Sequence, residues 1–148
     1  MNKFTFKYSP LVWVLIIAIA LLFTAAVATN VYDAVAFNGE NRTRFVLSLG
    51  LAGISAVLLV FTIAAAVYSK YVIKDGFLYF RFGFLFTKTD IKEIFQLTEF
   101  KTQNKLVMYF KNEKYSVAVI DEKYYTAFYD ALKKVNPEIT YTVQSIEE

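Results

Sequence analysis

Two long stretches of this chain carry no charged residue, one from Tyr8 to Tyr32 and one from Phe45 to Ser69. The centre of the first reads LVWVLIIAIALLFTAAVAT, from Leu11 to Thr29. A helix of roughly 20 apolar residues crosses the ~30 Å hydrocarbon core of a bilayer. Each stretch therefore predicts a spanning helix, at about 9–30 and 45–69, and residues 1–69 predict an antiparallel hairpin joined by a loop at 31–44. Helices in lipid associate through small residues. Ser48, Ala52 and Ala56, with Gly53 and Ser55 nearby, offer such a seam on the second helix, and Thr24 with Ala28 a shorter one on the first. Neither stretch holds an ionisable side chain at depth, which argues against an ion or proton path.

After Ser69 the period changes from helical to alternating. Lys70–Lys74 reads as a strand, Asp75-Gly76 as a two-residue hairpin turn, and Phe77–Arg81 as its return. A turn at Gly83 precedes a strand at 84–88. Further strands are predicted at 93–98, 106–110 and 115–120. Asp121 then caps a helix, along which Tyr125, Phe128, Leu132 and Val135 form one apolar stripe and which Pro137 ends. The remainder, 138–148, alternates Ile139, Tyr141 and Val143, as a loose tail or an extra edge strand would. The expected fold is an α-helical membrane hairpin followed by an α+β domain at 70–137. Its sheet is expected to be antiparallel and strongly bent, capped by one C-terminal helix.

Composition sharpens this picture. The chain is 57% hydrophobic and 18% aromatic, with a net charge of +3. Only Lys3, Lys7, Asp33, Glu40, Arg42 and Arg44 are charged in the first 69 residues, and the globular half is nearly neutral. No dense basic block exists to follow a phosphate backbone, so nucleic acid is excluded as a partner. Without Cys or His there is no thiol nucleophile, no thiolate metal site and no imidazole base. The paired acids Asp90 with Glu93 and Asp121 with Glu122 have turn and cap roles. No enzyme, metal or cofactor is expected.

Basic residues set orientation. Lys3 and Lys7 before the first helix, with Lys70, Lys74, Arg81 and Lys88 after the second, outnumber Arg42 and Arg44 between them. Both termini are expected on the cytoplasmic side of a plasma membrane. A signal-peptide reading, with Lys3 and Lys7 as the basic start and cleavage after Ala28 in Ala26-Val27-Ala28, stands beside the anchor reading. It leaves the second span and the orientation unchanged. Asn41-Arg42-Thr43 matches a glycosylation sequon and is taken as coincidence.

Residues 71–83, YVIKDGFLYFRFG, 90–94, DIKEI, and 128–137, FYDALKKVNP, resemble bacterial PH-like domain membrane proteins of the YyaB-like type. The resemblance implies a PH-like partial barrel closed by a helix, in a multi-pass bacterial membrane protein. That family often carries a Ser and an Arg where this chain has Gln103-Asn104-Lys105. Two functions are in view. One is a non-catalytic, membrane-anchored interaction module at the cytoplasmic face, meeting the lipid bilayer, a protein or peptide, or a second copy. The other is an envelope-protection or bacteriocin-immunity protein whose hairpin acts within the bilayer. A two-residue turn at Asp75-Gly76 is too short to cage an inositol phosphate. The candidate contact residues are Lys70, Lys74, Phe77, Tyr79, Arg81, Phe82, Phe84 and Phe86, in which cations and rings interleave along the first three strands.

Overall fold

A computed structural model describes residues 2–37, 39 and 41–145; Asn38 and Glu40 of the connecting loop and residues 146–148 of the tail lie outside the described residues. The chain divides into two compact units. One comprises Ser9–Tyr68, and the other Met1–Tyr8 together with Ser69–Glu148.

The helical unit contains α1 (Pro10–Val35) and α2 (Arg42–Tyr68), both long and apolar enough to cross a membrane. Both continue past the charge-free stretches and leave only a short loop. Ser9 caps α1 by accepting from the Val12 amide, and Pro10, which has no amide hydrogen to lose, takes the first turn. Asn41 caps α2 through the Arg44 amide at 3.0 Å, a local use for that asparagine. At the loop end Arg44 pairs with Asp33 at 3.2 Å, and the rings of Phe37 and Phe45 meet at 4.9 Å.

Ser48 and Ala52 are buried on α2 and Ala56 and Ser55 half-buried, as the spacing of small residues predicts, whereas Gly53 is exposed; Ala64 joins the buried set. The partner strip is different from the expected one. Thr24 and Ala28 face outward, while Val12, Ile16, Ala20, Phe23 and Val27 form the half-buried stripe of α1. Thr24 instead returns its hydroxyl to the Ala20 carbonyl at 2.8 Å, and Thr62 does the same to Leu58. Each hydroxyl is thus satisfied within its own helix, as an apolar setting requires.

The globular unit is built from two sheets and one helix. Sheet A has the order β1 (Asn2–Thr5), β2 (Lys70–Lys74), β3 (Phe77–Phe82), β4 (Leu85–Asp90), all antiparallel. Sheet B has the order β7 (Tyr115–Ala118), β6 (Lys105–Phe110), β5 (Ile94–Phe100), β8 (Thr140–Gln144). Its β5–β8 pair is parallel and the others are antiparallel. Helix α3 (Tyr125–Lys133) follows a short turn capped by Asp121. The expected single bent antiparallel sheet, the PH-like partial barrel, is not what forms: two separate sheets do, one of them mixed, and neither closes.

The physical reason lies at Asp90. Its carboxylate accepts from the Lys92 amide at 2.9 Å and starts a tight turn at Ile91–Glu93, which carries the chain out of sheet A. Strand β5 then takes β6 on one edge and β8 on the other, so no edge remains for β4. Residues 140–144, part of the segment expected as tail or edge strand, are that edge strand, and β1 recruits the first residues of the chain into the globular unit.

One core joins the layers. Phe4, Tyr71, Ile73 and Leu78 from sheet A meet Ile94, Leu97, Met108 and Phe110 from sheet B and Tyr125, Phe128 and Leu132 from α3. A bulge at Phe95 brings Ile94 and Leu97, three residues apart, to the same face. Tyr71 lies under this core, yet its hydroxyl is satisfied because it accepts from the Val119 amide at 3.0 Å. Burial of the phenol holds its pKa above the ordinary tyrosine value, against that hydrogen bond. Asn136, also buried, donates to the carbonyls of Ile91 and Ile94 and thereby ties the end of α3 to the start of β5.

Candidate functional site

Strand alternation sorts the candidate contact residues without further assumption. In β2 and β3, Tyr71, Ile73, Leu78 and Phe80 point to the core, and their cross-strand pairing, Tyr71 with Phe80 and Ile73 with Leu78, keeps them there. Lys70, Lys74, Phe77, Tyr79 and Arg81 consequently share the outer face of sheet A, and Phe86, opposite Arg81, joins them. Phe82 does not: it follows Leu78 and Phe80 on the core side, beyond the end of the core, where it is half exposed. Phe84 sits in the turn between β3 and β4, next to Gly83, whose φ of 59° suits a residue without a side chain.

The sequence pattern missed two cations of this face. Lys3 arrives with β1, opposite Val72, and Lys88 lies opposite Tyr79 on β4. The face therefore consists of three rows across the strands. Thr5, Lys70, Arg81 and Phe86 form the first, Lys3, Val72, Tyr79 and Lys88 the second, and Lys74, Phe77 and Asp90 the third. Asp90 is the single acidic residue among the strand positions of the face, against Lys3, Lys70, Lys74, Arg81 and Lys88.

Local contacts fix part of this surface. The Lys88 ammonium sits 5.0 Å from the centre of the Phe77 ring, a cation–π distance. Lys74 pairs with Asp75 at 3.3 Å in the hairpin turn, where Asp75 and Gly76 both take positive φ. A shallow depression of about 360 Å³ opens on the face, floored by Val72 and walled by Lys74, Tyr79, Arg81 and Phe86. Its chemistry is cationic and aromatic. It can hold an anionic group against a ring, but it contains no paired acid and base for proton transfer and no nucleophile with an activating neighbour. Among the described residues no three acidic side chains gather as a metal would need.

No family model matches the chain, and no curated protein or solved structure matches it either.

Proposed function

We propose that this protein is a non-catalytic, membrane-anchored interaction module: α1 and α2 hold it in a bacterial plasma membrane, and the outer face of sheet A meets an anionic partner on the cytoplasmic side. The observation that carries the reading is the clustering of Lys3, Lys70, Lys74, Arg81 and Lys88 around Tyr79, Phe77 and Phe86 on one sheet face, opposed by Asp90 on β4 and by Asp75 in the hairpin turn, which pairs with Lys74. Cations beside exposed rings bind anionic surfaces by charge and by ring contact together.

The anchoring half is supported by pairing. Thr5, shortly before α1, lies opposite Lys70, two residues after α2. Two chain segments in one sheet must be on the same side of a membrane, and this supports the reading of two crossings. The same pairing favours an uncleaved first helix, because cleavage after Ala28 would remove β1 from sheet A and Phe4 from the core.

The test is photocrosslinking in native membranes from the full chain. A photoreactive residue in place of Tyr79 is expected to give an adduct with lipid or protein. The same residue in place of Tyr115, an exposed position on β7 of sheet B, is expected to give none. Equal yields at both positions would refute the assignment of the face.

A further inference from the structure

The turn between β3 and β4 is the most apolar exposed feature of the globular unit. Phe82 is 49% exposed, Phe84 57%, Leu85 65% and Phe86 70%. Its place in the sheet is specific. Phe82 pairs with Leu85 to close the turn, and the Gly83 amide donates to the Ser69 hydroxyl oxygen at 3.3 Å. Ser69 is the residue directly after Tyr68, the last of α2. The apolar turn is thus tied to the residue that follows α2 in sequence.

The adjoining row has an unusual charge arrangement. Lys70 lies directly opposite Arg81, and Arg81 directly opposite Phe86. Like charges at opposed positions of neighbouring strands repel, and among the described residues neither Lys70 nor Arg81 forms an ion pair. This row lacks its anion. A second copy is a poor source by the same face, where Asp90 is the single acid among the strand positions.

We infer that the anionic partner is the bilayer surface itself: the β3–β4 turn inserts Phe82, Leu85 and Phe86 at the boundary between headgroups and acyl chains, and Lys70 and Arg81 engage lipid phosphates above it. The inference rests on the reading of α2 as a membrane span. Apolar rings flanked by basic side chains match the layered chemistry of that zone, in which hydrocarbon lies just beneath phosphate.

Trp13 is the single tryptophan of the chain, which makes fluorescence a direct test. The full chain with Trp13→Phe is reconstituted into vesicles of phosphatidylcholine and phosphatidylglycerol with brominated acyl chains. Phe86→Trp or Leu85→Trp supplies the probe, and Tyr115→Trp is the reference. Both turn indoles are expected to emit at shorter wavelength than the reference and to lose most of their emission to bromine, while the reference keeps its own. A turn indole that emits at short wavelength without quenching would overturn the inference and leave a protein partner for the face. Turn indoles that behave as the reference does would overturn it as well. Quenching of Trp13 in the otherwise unchanged chain separates these failures from failure of the anchor, since an unquenched Trp13 would mean that α1 is not in the bilayer.

Discussion

The ring of Phe4 stands edge-on to the ring of Phe128, with centroids 5.1 Å apart and planes at 87°. A residue at the very start of the chain and one near its end thus complete a single core. Phe128 makes a second edge contact with Tyr71 at 5.7 Å, so the three rings link β1, α3 and β2. Both phenylalanines are buried, Phe128 completely.

That relationship makes β1 part of the core of the globular unit. Phe4→Ala should destabilise the globular unit by about 3–5 kcal/mol, the usual cost of deleting a buried aromatic ring. Phe128→Ala should cost about as much, whereas Tyr115→Ala, at an exposed site, should change stability by less than about 0.5 kcal/mol. Denaturation of the full-length variants in detergent, followed by limited proteolysis of the globular unit, would measure all three. The intact mass of protein purified from membranes should include residue 4. A mature N-terminus at Thr29 would be incompatible with this core.

Local patterns in the chain located most of the strands but not their partners. The hairpin at Asp75-Gly76, the turn at Gly83, the Asp121 cap and the apolar stripe through Phe128 are all local signals, and the structure has them with two differences: Asp121 caps the short turn before α3 and not α3 itself, and α3 ends at Lys133, so Val135 lies beyond it. The segment Lys3-Phe4-Thr5-Phe6-Lys7 alternates as a strand does, but its lysines beside a long apolar run read equally well as the flank of a membrane helix. What makes it a strand is β2, which lies on the far side of the whole hairpin in sequence. The parallel pairing of Leu97 with Tyr141 also joins segments far apart in sequence. Alternation says that a segment has two faces; it does not say which edge it will fill, and so the division into two sheets at Asp90 was not legible. For the candidate face, the inward and outward sorting of β2 and β3 followed from the turn, whereas Lys3 required β1 to be placed first.

Pairing of β1 with β2 can be tested chemically, because the chain has no cysteine of its own. Thr5→Cys with Lys70→Cys places two thiols at directly opposed positions of an antiparallel pair, about 4.5–5.5 Å apart at Cβ. Mild oxidation of isolated membranes should link the two peptides, and mass spectrometry should find the bond. Thr5→Cys with Lys101→Cys, a position outside sheet A, should remain unlinked. The two thiols must also lie on one side of the membrane to react. Single cysteines at Asn38 and Asn112 complete the topology: in intact cells an impermeant maleimide should label Asn38→Cys and spare Asn112→Cys. Labelling of both would remove the cytoplasmic assignment of the globular unit.

Asn136 should prove one of the least replaceable polar residues. Its side-chain amide donates to the Ile91 and Ile94 carbonyls at 3.2 and 3.0 Å, and its oxygen accepts from the Glu138 amide at 3.2 Å. The two bonds to the carbonyls are buried and tie the end of α3 to the turn that leads from sheet A into sheet B. Asn136→Ala strands two buried acceptors and one donor, and should cost about 2–4 kcal/mol. Asn136→Asp should be no milder, because a carboxylate faces the two carbonyls with no hydrogen to offer. Chemical denaturation would register both. If Asn136→Asp were as stable as the native protein, these hydrogen bonds would not be the tie described here.

The last prediction concerns acid. Lys7 donates from its ammonium to Asp121 at 3.2 Å, and the Lys123 amide donates to the other carboxylate oxygen at 3.3 Å. The hydrogen bond from Lys7 is the main reason the Asp121 carboxyl is held below its ordinary pKa. Partial desolvation opposes this, and the Lys123 amide and the positive charges of Lys7 and Lys123 assist. A carboxyl with a folded-state pKa below its unfolded value stabilises the fold at every pH above the unfolded value. That contribution is lost as pH falls through the lowered, folded value. Lys7→Gln removes the main cause, so the variant should melt below the native protein at neutral pH, and the gap should narrow as pH drops below the ordinary carboxylate range. Asp121→Asn still caps the turn, since its side-chain oxygen accepts the Lys123 amide, but it cannot titrate. It should therefore abolish the Lys7-dependent part of the pH profile while leaving α3 in place. Melting temperatures of the three proteins across an acid series would decide the matter. A gap between native and Lys7→Gln protein that stayed constant down to strong acid would show that the Lys7 side chain acts by some route other than the Asp121 carboxylate, since the backbone hydrogen bond from the residue 7 amide to the Val119 carbonyl is the same in both proteins.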